Sequence, residues 1–161
     1  MRTGEERLIS PDGCCATYTQ MFGDHVIWCQ GVPAYGQQIW LHDIRTGESR
    51  QITTGTKDKL DPTVSEDKAA WSECIVDNCD AFTGESSDIV MLDLITGETV
   101  HVTSDLYAQG LPVVWGNIVA WSDFRNDPTS PHLPRTATES DIYYKDLSTG
   151  EERQLTSVSG A

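Results

Sequence analysis

A short motif returns along this chain, and the spacing of four of its copies limits the folds open to it. Thr-Gly-Glu recurs in register with glycines at Gly4, Gly47, Gly97 and Gly150, separated by 43, 50 and 53 residues; a fifth copy, at Thr83-Gly84-Glu85, falls outside this frame. Five residues after each glycine an apolar residue precedes a hydroxyl: Ile9-Ser10, Ile52-Thr53, Val102-Thr103 and Leu155-Thr156. Four residues before the last three glycines stand Asp43, Asp93 and Asp146. A tryptophan follows the first three hydroxyls at a constant gap of 18 residues, at Trp28, Trp71 and Trp121. Length varies only between that tryptophan and the next isoleucine (Ile39, Ile89, Ile142), at 11, 18 and 21 residues. Units of this size bury their apolar faces by stacking on one another.

The segments between markers read as strands. Asp24–Trp28, Gln38–His42, Ile89–Leu92, Asn117–Trp121 and Ile142–Tyr144 are rich in β-branched and aromatic residues. Asp-x-x-Thr-Gly supplies the turn between two of them, the aspartate capping it and the glycine accepting a positive φ. Pro62 and Pro112 are expected just ahead of the first strand of their units, where a missing N–H costs least. No segment sustains a 3.6-residue period, so almost no helix is expected. Four antiparallel strands per unit make a β-propeller blade. The predicted architecture is all-β: residues 1–10 as the outer strand of an incomplete preceding blade, blades at 11–54, 55–104 and 105–157, and a tail at 158–161. Trp28, Trp71 and Trp121, sharing one frame position, are expected to pack between their own blade and the next. Gly47, Gly97 and Gly150 are the structural turn glycines.

Two stretches carry a family resemblance. Ser65-Glu66-Asp67-Lys68-Ala69-Ala70-Trp71-Ser72 resembles the Ser-Pro-Asp-Gly-x-x-Ile-Ala-Phe core of TolB-like (PD40-type) repeats. The run Val114 to Asn126, with Asp141-Ile142-Tyr143 and Asp146 to Glu151, is similar to the version in surface and secreted bacterial and archaeal propellers. The first blade departs most, with Thr19 for the proline and Cys29-Gln30 for Ser-Asp. The resemblance spans the chain and implies a propeller, with a periplasmic, cell-surface or secreted setting. It also implies an alternative: such blades form the gating domain of prolyl-oligopeptidase-type hydrolases.

Charge narrows the partners. With 25 acidic and 11 basic side chains the net charge is −14. Nucleic acid and anionic membrane surfaces are excluded as partners, since both need clustered Lys and Arg. No apolar run is long enough to insert in a membrane. The first residues lack the apolar core of a signal peptide, so an extracytoplasmic protein would need a leader outside this chain. The expected function is a non-catalytic binding or scaffold module for protein or glycan. No catalytic motif is present and no cofactor is expected, calcium excepted. An arc of three blades leaves two faces open, so self-association, or the remainder of a larger ring, is expected to cover them; raised salt would favour copies pairing despite their charge. A self-assembling structural subunit is the third reading.

The variable connections are the candidate site, because rigid scaffolds carry function on loops. The middle one holds Asp77, Asp80, Glu85 and Asp88; the last holds Phe124, Arg125, Asp127 and His132. Asp77, Asp80, Asp123 and Asp127 are the candidate calcium ligands, since hard cations take six to eight oxygens. Alternation also places Asp123 and Arg125 on one side of a strand end, where pairing would pin the long loop. Cys74 and Cys79 share a loop and are a candidate disulfide in an oxidising compartment. Cys14 or Cys15 could likewise meet Cys29.

Overall fold

The computed structural model describes residues 6–11, 15–32, 36–75, 86–128 and 139–157. Among them there is no helix, and the strands form three four-stranded antiparallel sheets. Strands β1 (Ala16–Phe22), β2 (His25–Val32), β3 (Gly36–Asp43) and β4 (Glu48–Gln51) pair in chain order. So do β5 (Lys59–Val64), β6 (Lys68–Cys74), β7 (Ser87–Asp93) and β8 (Thr99–His101), and then β9 (Gln109–Trp115), β10 (Ile118–Asp123), β11 (Asp141–Asp146) and β12 (Glu151–Gln154). The sheets are propeller blades in an open arc. Their inner strands converge, and Phe22 of β1 meets the Trp115 ring edge-on at 5.7 Å.

Each sequence marker has a bond behind it. Thr53, Thr103 and Thr156 Oγ1 accept the N–H of Ile39, Ile89 and Ile142, each at 2.8 Å. The same hydroxyls donate to Gln38, Asp88 and Asp141, so they clip the end of the fourth strand to the start of the third. In the Asp-x-x-Thr-Gly turns Asp43, Asp93 and Asp146 each accept a backbone N–H two residues on. The glycine closing each turn has φ 75°, a region that an L side chain enters only under strain. The Thr96 N–H holds the Asp93 carboxyl below its ordinary pKa.

Two cores lie between the blades. One joins Ile27, Cys29, Ile39 and Leu41 to Val64, Ala69, Trp71, Val90 and Leu92. The other joins Ala70, Ile89, Met91 and Val102 to Val114, Val119, Trp121 and Tyr143. All three frame tryptophans are at most 3% exposed. Trp71 and Trp121 pack against the blade before them, not the one after. The residues on either side of each tryptophan, such as Ala70 and Ser72, alternate to the opposite face.

Residues 6–11 depart from expectation too: they form no strand. A fourth strand needs a third to pair with, and no described strand lies beside this segment. The segment lies along the first blade, where Ser49 Oγ donates to Ile9 O (2.9 Å) and Gln30 Nε2 to Pro11 O (3.3 Å). Trp28 has this segment on its side instead of a blade, and its ring stacks on Trp40 at 6.3 Å. Pro62 and Pro112 lie inside β5 and β9, not ahead of them.

Candidate functional site

The prolines explain their own place. Pairing of each inner strand with its neighbour slips at a bulge, between Thr17 and Gln20, between Leu60 and Thr63, and opposite Ala120–Ser122. A bulge frees one N–H from the ladder, which is where a strand tolerates proline. The residue before Thr19, Pro62 and Pro112 is in each case left-handed: Tyr18 at φ 52°, Asp61 at φ 50° and Leu111 at φ 53°. For non-glycine residues this costs on the order of 1 kcal/mol or more each. One strained conformation recurs in three blades and carries an aromatic, an acid and an aliphatic side chain. All three border the groove at the inner edge of the arc.

Between the second and third blades this groove deepens into a cleft of about 160 Å³. Asp58, Asp61, Ser72, Ser87, Gln109 and Phe124 contribute to its wall. Asp61 ties the blades together. Its carboxylate accepts from Ser72 Oγ at 3.2 Å and from the Leu111 N–H, while its own N–H meets the Cys29 thiol. Burial raises the Asp61 pKa, against those two hydrogen bonds. Asp58 accepts the Gln37 N–H at 2.6 Å. Its carboxylate presses so close to Gly36 that a Cβ there would fall 1.8 Å from Oδ1, which requires glycine. Lys59 points elsewhere, to the carbonyls of Thr54 and Lys57.

The long connections leave from the end of the blades where this cleft opens. Asp77, Asp80, Glu85, Cys79 and His132 lie outside the described residues. Phe124 lines the cleft. Asp88 serves the Thr103 clip and accepts the Asp105 N–H at 3.3 Å, so its place is structural, not that of a loop ligand. Asp123 is fully buried and spends its oxygens on Trp121 Nε1 (2.9 Å) and on Arg125 N, Nε and Nη2 (2.9, 2.9 and 2.6 Å). Arg125 lies 4.2 Å over the Tyr143 ring and 3.1 Å from Glu152. The Asp123 hydrogen bonds first, then the charges of Asp123, Glu152 and Asp105, raise its pKa against the effect of burial. Asp127 accepts the Glu139 N–H at 2.8 Å, and Asn126 reaches Asp141 at 2.8 Å. This network clamps the root of the last connection.

That use replaces the calcium reading for Asp123, whose oxygens already hold a guanidinium. Among the described residues no group of three His, Cys, Asp or Glu is placed to hold a metal. Cys74 is disulfide-bonded and lines the cleft. Pairing of Cys14 or Cys15 with Cys29 does not occur: Cys15 is free and exposed, and Cys29 is free and buried. The Cys29 thiol donates to Lys59 O at 3.4 Å, and burial, with Asp61 nearby, pushes its pKa up to about 12.

Solved structures share this arrangement. TolB from Acinetobacter baumannii superposes with a TM-score of 0.66 at 14% identity, over 93% of this chain and 34% of that one. The chain is built as a TolB-like propeller. The tricorn protease matches 91% of this chain and 13% of its own, at 15% identity and a TM-score of 0.63. The propeller domain of the Trilobed protease from Pyrococcus furiosus, titled as having an open velcro topology, matches 91% of this chain and 45% of its own (11%, 0.60). The chain thus spans about a third of TolB. No protein-family model matches the sequence, and no curated protein does. The bulge residues escaped sequence reasoning because their identities differ; the signal available was their constant place before Thr19, Pro62 and Pro112.

Proposed function

We propose that this TolB-like propeller is a non-catalytic binding module that takes a protein partner on the end where its long connections leave. The observation that carries this reading is the trio Tyr18, Asp61 and Leu111. One costly backbone conformation is kept in three blades while the side chain it presents changes. Strain of that kind is associated with ligand contact. The wall of the adjoining cleft has the Asp58 and Asp61 carboxylates and, among the described residues, no basic one. It suits a basic segment of a partner, with Leu111 and Phe124 packing its aliphatic part. The test is a panel of immobilised basic, neutral and acidic peptides alongside a glycan array. Retention of basic peptides, lost in Asp61→Asn, supports the reading. Binding confined to glycans, or unchanged by Asp61→Asn, refutes it.

A disulfide at Cys74 supports an extracytoplasmic setting, because such bonds persist where the compartment is oxidising. The fold shared with the tricorn protease and with puromycin hydrolase favours a second reading, a propeller that gates a hydrolase. A hydrolase domain encoded beside these blades would decide for it.

A further inference from the structure

The two ends of the arc are unlike, and the repeat shows what each end fits. In both blade contacts the earlier blade presents one set of frame positions: Ile27, Ile39, Leu41 and the partly buried Ile52 in the first, Ala70, Ile89, Met91 and Val102 in the second. The third blade carries Ala120, Ile142, Tyr144 and Leu155 at the same places. Leu155 is 62% exposed, where its counterpart Val102 is 1% exposed. On β9, at the inner edge of the same blade, Val113 opposite Ala120 is 63% exposed. This is the tail face.

The later blade of each contact presents Val64, Trp71 and Val90, or Val114, Trp121 and Tyr143. The first blade carries Met21, Trp28 and Trp40 there. Met21 is 62% exposed, against 6% for Val64 and 4% for Val114. The Trp40 Nε1–H is buried with no acceptor among the described residues. A buried unpaired donor of this kind costs about 1–3 kcal/mol. This is the head face.

Residues 6–11 lie where the frame would set the outer strand of a preceding blade. Lys145 of the third blade donates to Val102 O, at the outer strand of the second, at 2.9 Å. By the frame Ile9 corresponds to Val102 and His42 to Lys145. Ile9 O accepts from Ser49 Oγ, which His42 Nδ1 meets at 2.9 Å. The segment is a placeholder at the position that β12 holds in the third blade.

We propose that a second copy of this chain docks its tail face on the head face, continuing the contact already repeated twice within the chain, and that residues 6–11 oppose this docking by holding the place of the partner's outer strand. Two such contacts close a ring of six blades about a two-fold axis, within the usual range for propellers. The contact is independent of the cleft and of the partner proposed for it.

Sedimentation of the full chain across dilution tests this, at about 0.1 M and about 1 M salt, where the screening length falls from about 10 to about 3 Å. The expected mass rises with concentration from 17.8 kDa to twice that, and the dimer tightens in high salt. Leu155→Glu on the tail and Met21→Glu on the head, both exposed in the monomer, are each expected to weaken it at least tenfold, since either buries an unpaired charge. Removing residues 1–11 is expected to tighten it. A 17.8 kDa species under every condition overturns the proposal. So does dissociation by Leu155→Glu alone, which marks a tail-to-tail dimer. Should the shortened chain not fold, the two full-length variants decide.

Discussion

Replacing Arg125 by alanine tests whether the clamp at the root of the last connection holds the third blade. Asp123 is 0% exposed and accepts four hydrogen bonds. Two come from the guanidinium and vanish; those from Trp121 Nε1 and the backbone N–H of residue 125 remain. Leaving a buried carboxylate without its cation costs about 3–5 kcal/mol. Loss of the contact with the Tyr143 ring adds about 0.5–1 kcal/mol. Taking about 4 kcal/mol in total, at 2–4 °C per kcal/mol for a domain of this size, the melting temperature falls by roughly 8–16 °C. The assay is calorimetry with urea titration, run beside the double variant Asp123→Asn/Arg125→Met. The double variant carries no buried charge, so it is expected to lose less than Arg125→Ala alone. A cost below about 1 kcal/mol, the size of an exposed ion pair, refutes the argument. So does a double variant as damaged as the two single changes added.

Three further outcomes follow from the geometry. Trp71→Ala and Trp121→Ala each empty an interblade core and are expected to cost about 3–5 kcal/mol by urea unfolding; Trp28→Ala, backed by residues 6–11 and not by a blade, should cost less, and equal losses would refute that difference. Asp61 binds its proton more tightly folded than unfolded, because burial raises its pKa above 3.8. Its contribution to stability therefore falls as pH rises through the window beginning there, and Asp61→Asn should gain on the parent across that window and hold the gain above it; a gap that narrows with rising pH contradicts the shift. In alkylation followed by peptide mass spectrometry, Cys15 should react in the native protein and Cys29 only after unfolding, given its burial and pKa near 12.

The blades were legible because their markers are covalently local. Asp43, Asp93 and Asp146 cap turns a few residues away, and Thr53 and Thr103 clip strands within their own blade, so identical chemistry leaves identical spacing. The side each tryptophan faces was not legible: alternation says that Trp71 and Ala70 oppose, but not which of them meets the preceding blade. Asp123 and Arg125 could be paired on paper because only one residue separates them. The cleft could not be assembled that way, since Asp58, Ser72, Ser87 and Gln109 lie far apart in sequence and meet only where two blades converge. Residues 6–11 have the composition of an outer strand, yet pairing is a property of the neighbour, and no described strand lies beside them.

The bulges at Tyr18, Asp61 and Leu111 make the propeller easy to re-specify. Tyr18 and Leu111 stand off the ladder with exposed side chains, which can be exchanged with little consequence for strand pairing or the interblade cores, whereas Asp61 also bonds Ser72 and the Leu111 N–H. Glycine at Tyr18 and Leu111 would relieve the backbone and raise stability, while erasing the chemistry they display along the groove. Libraries built at Tyr18 and Leu111 would vary the chemistry of the groove on an unaltered frame.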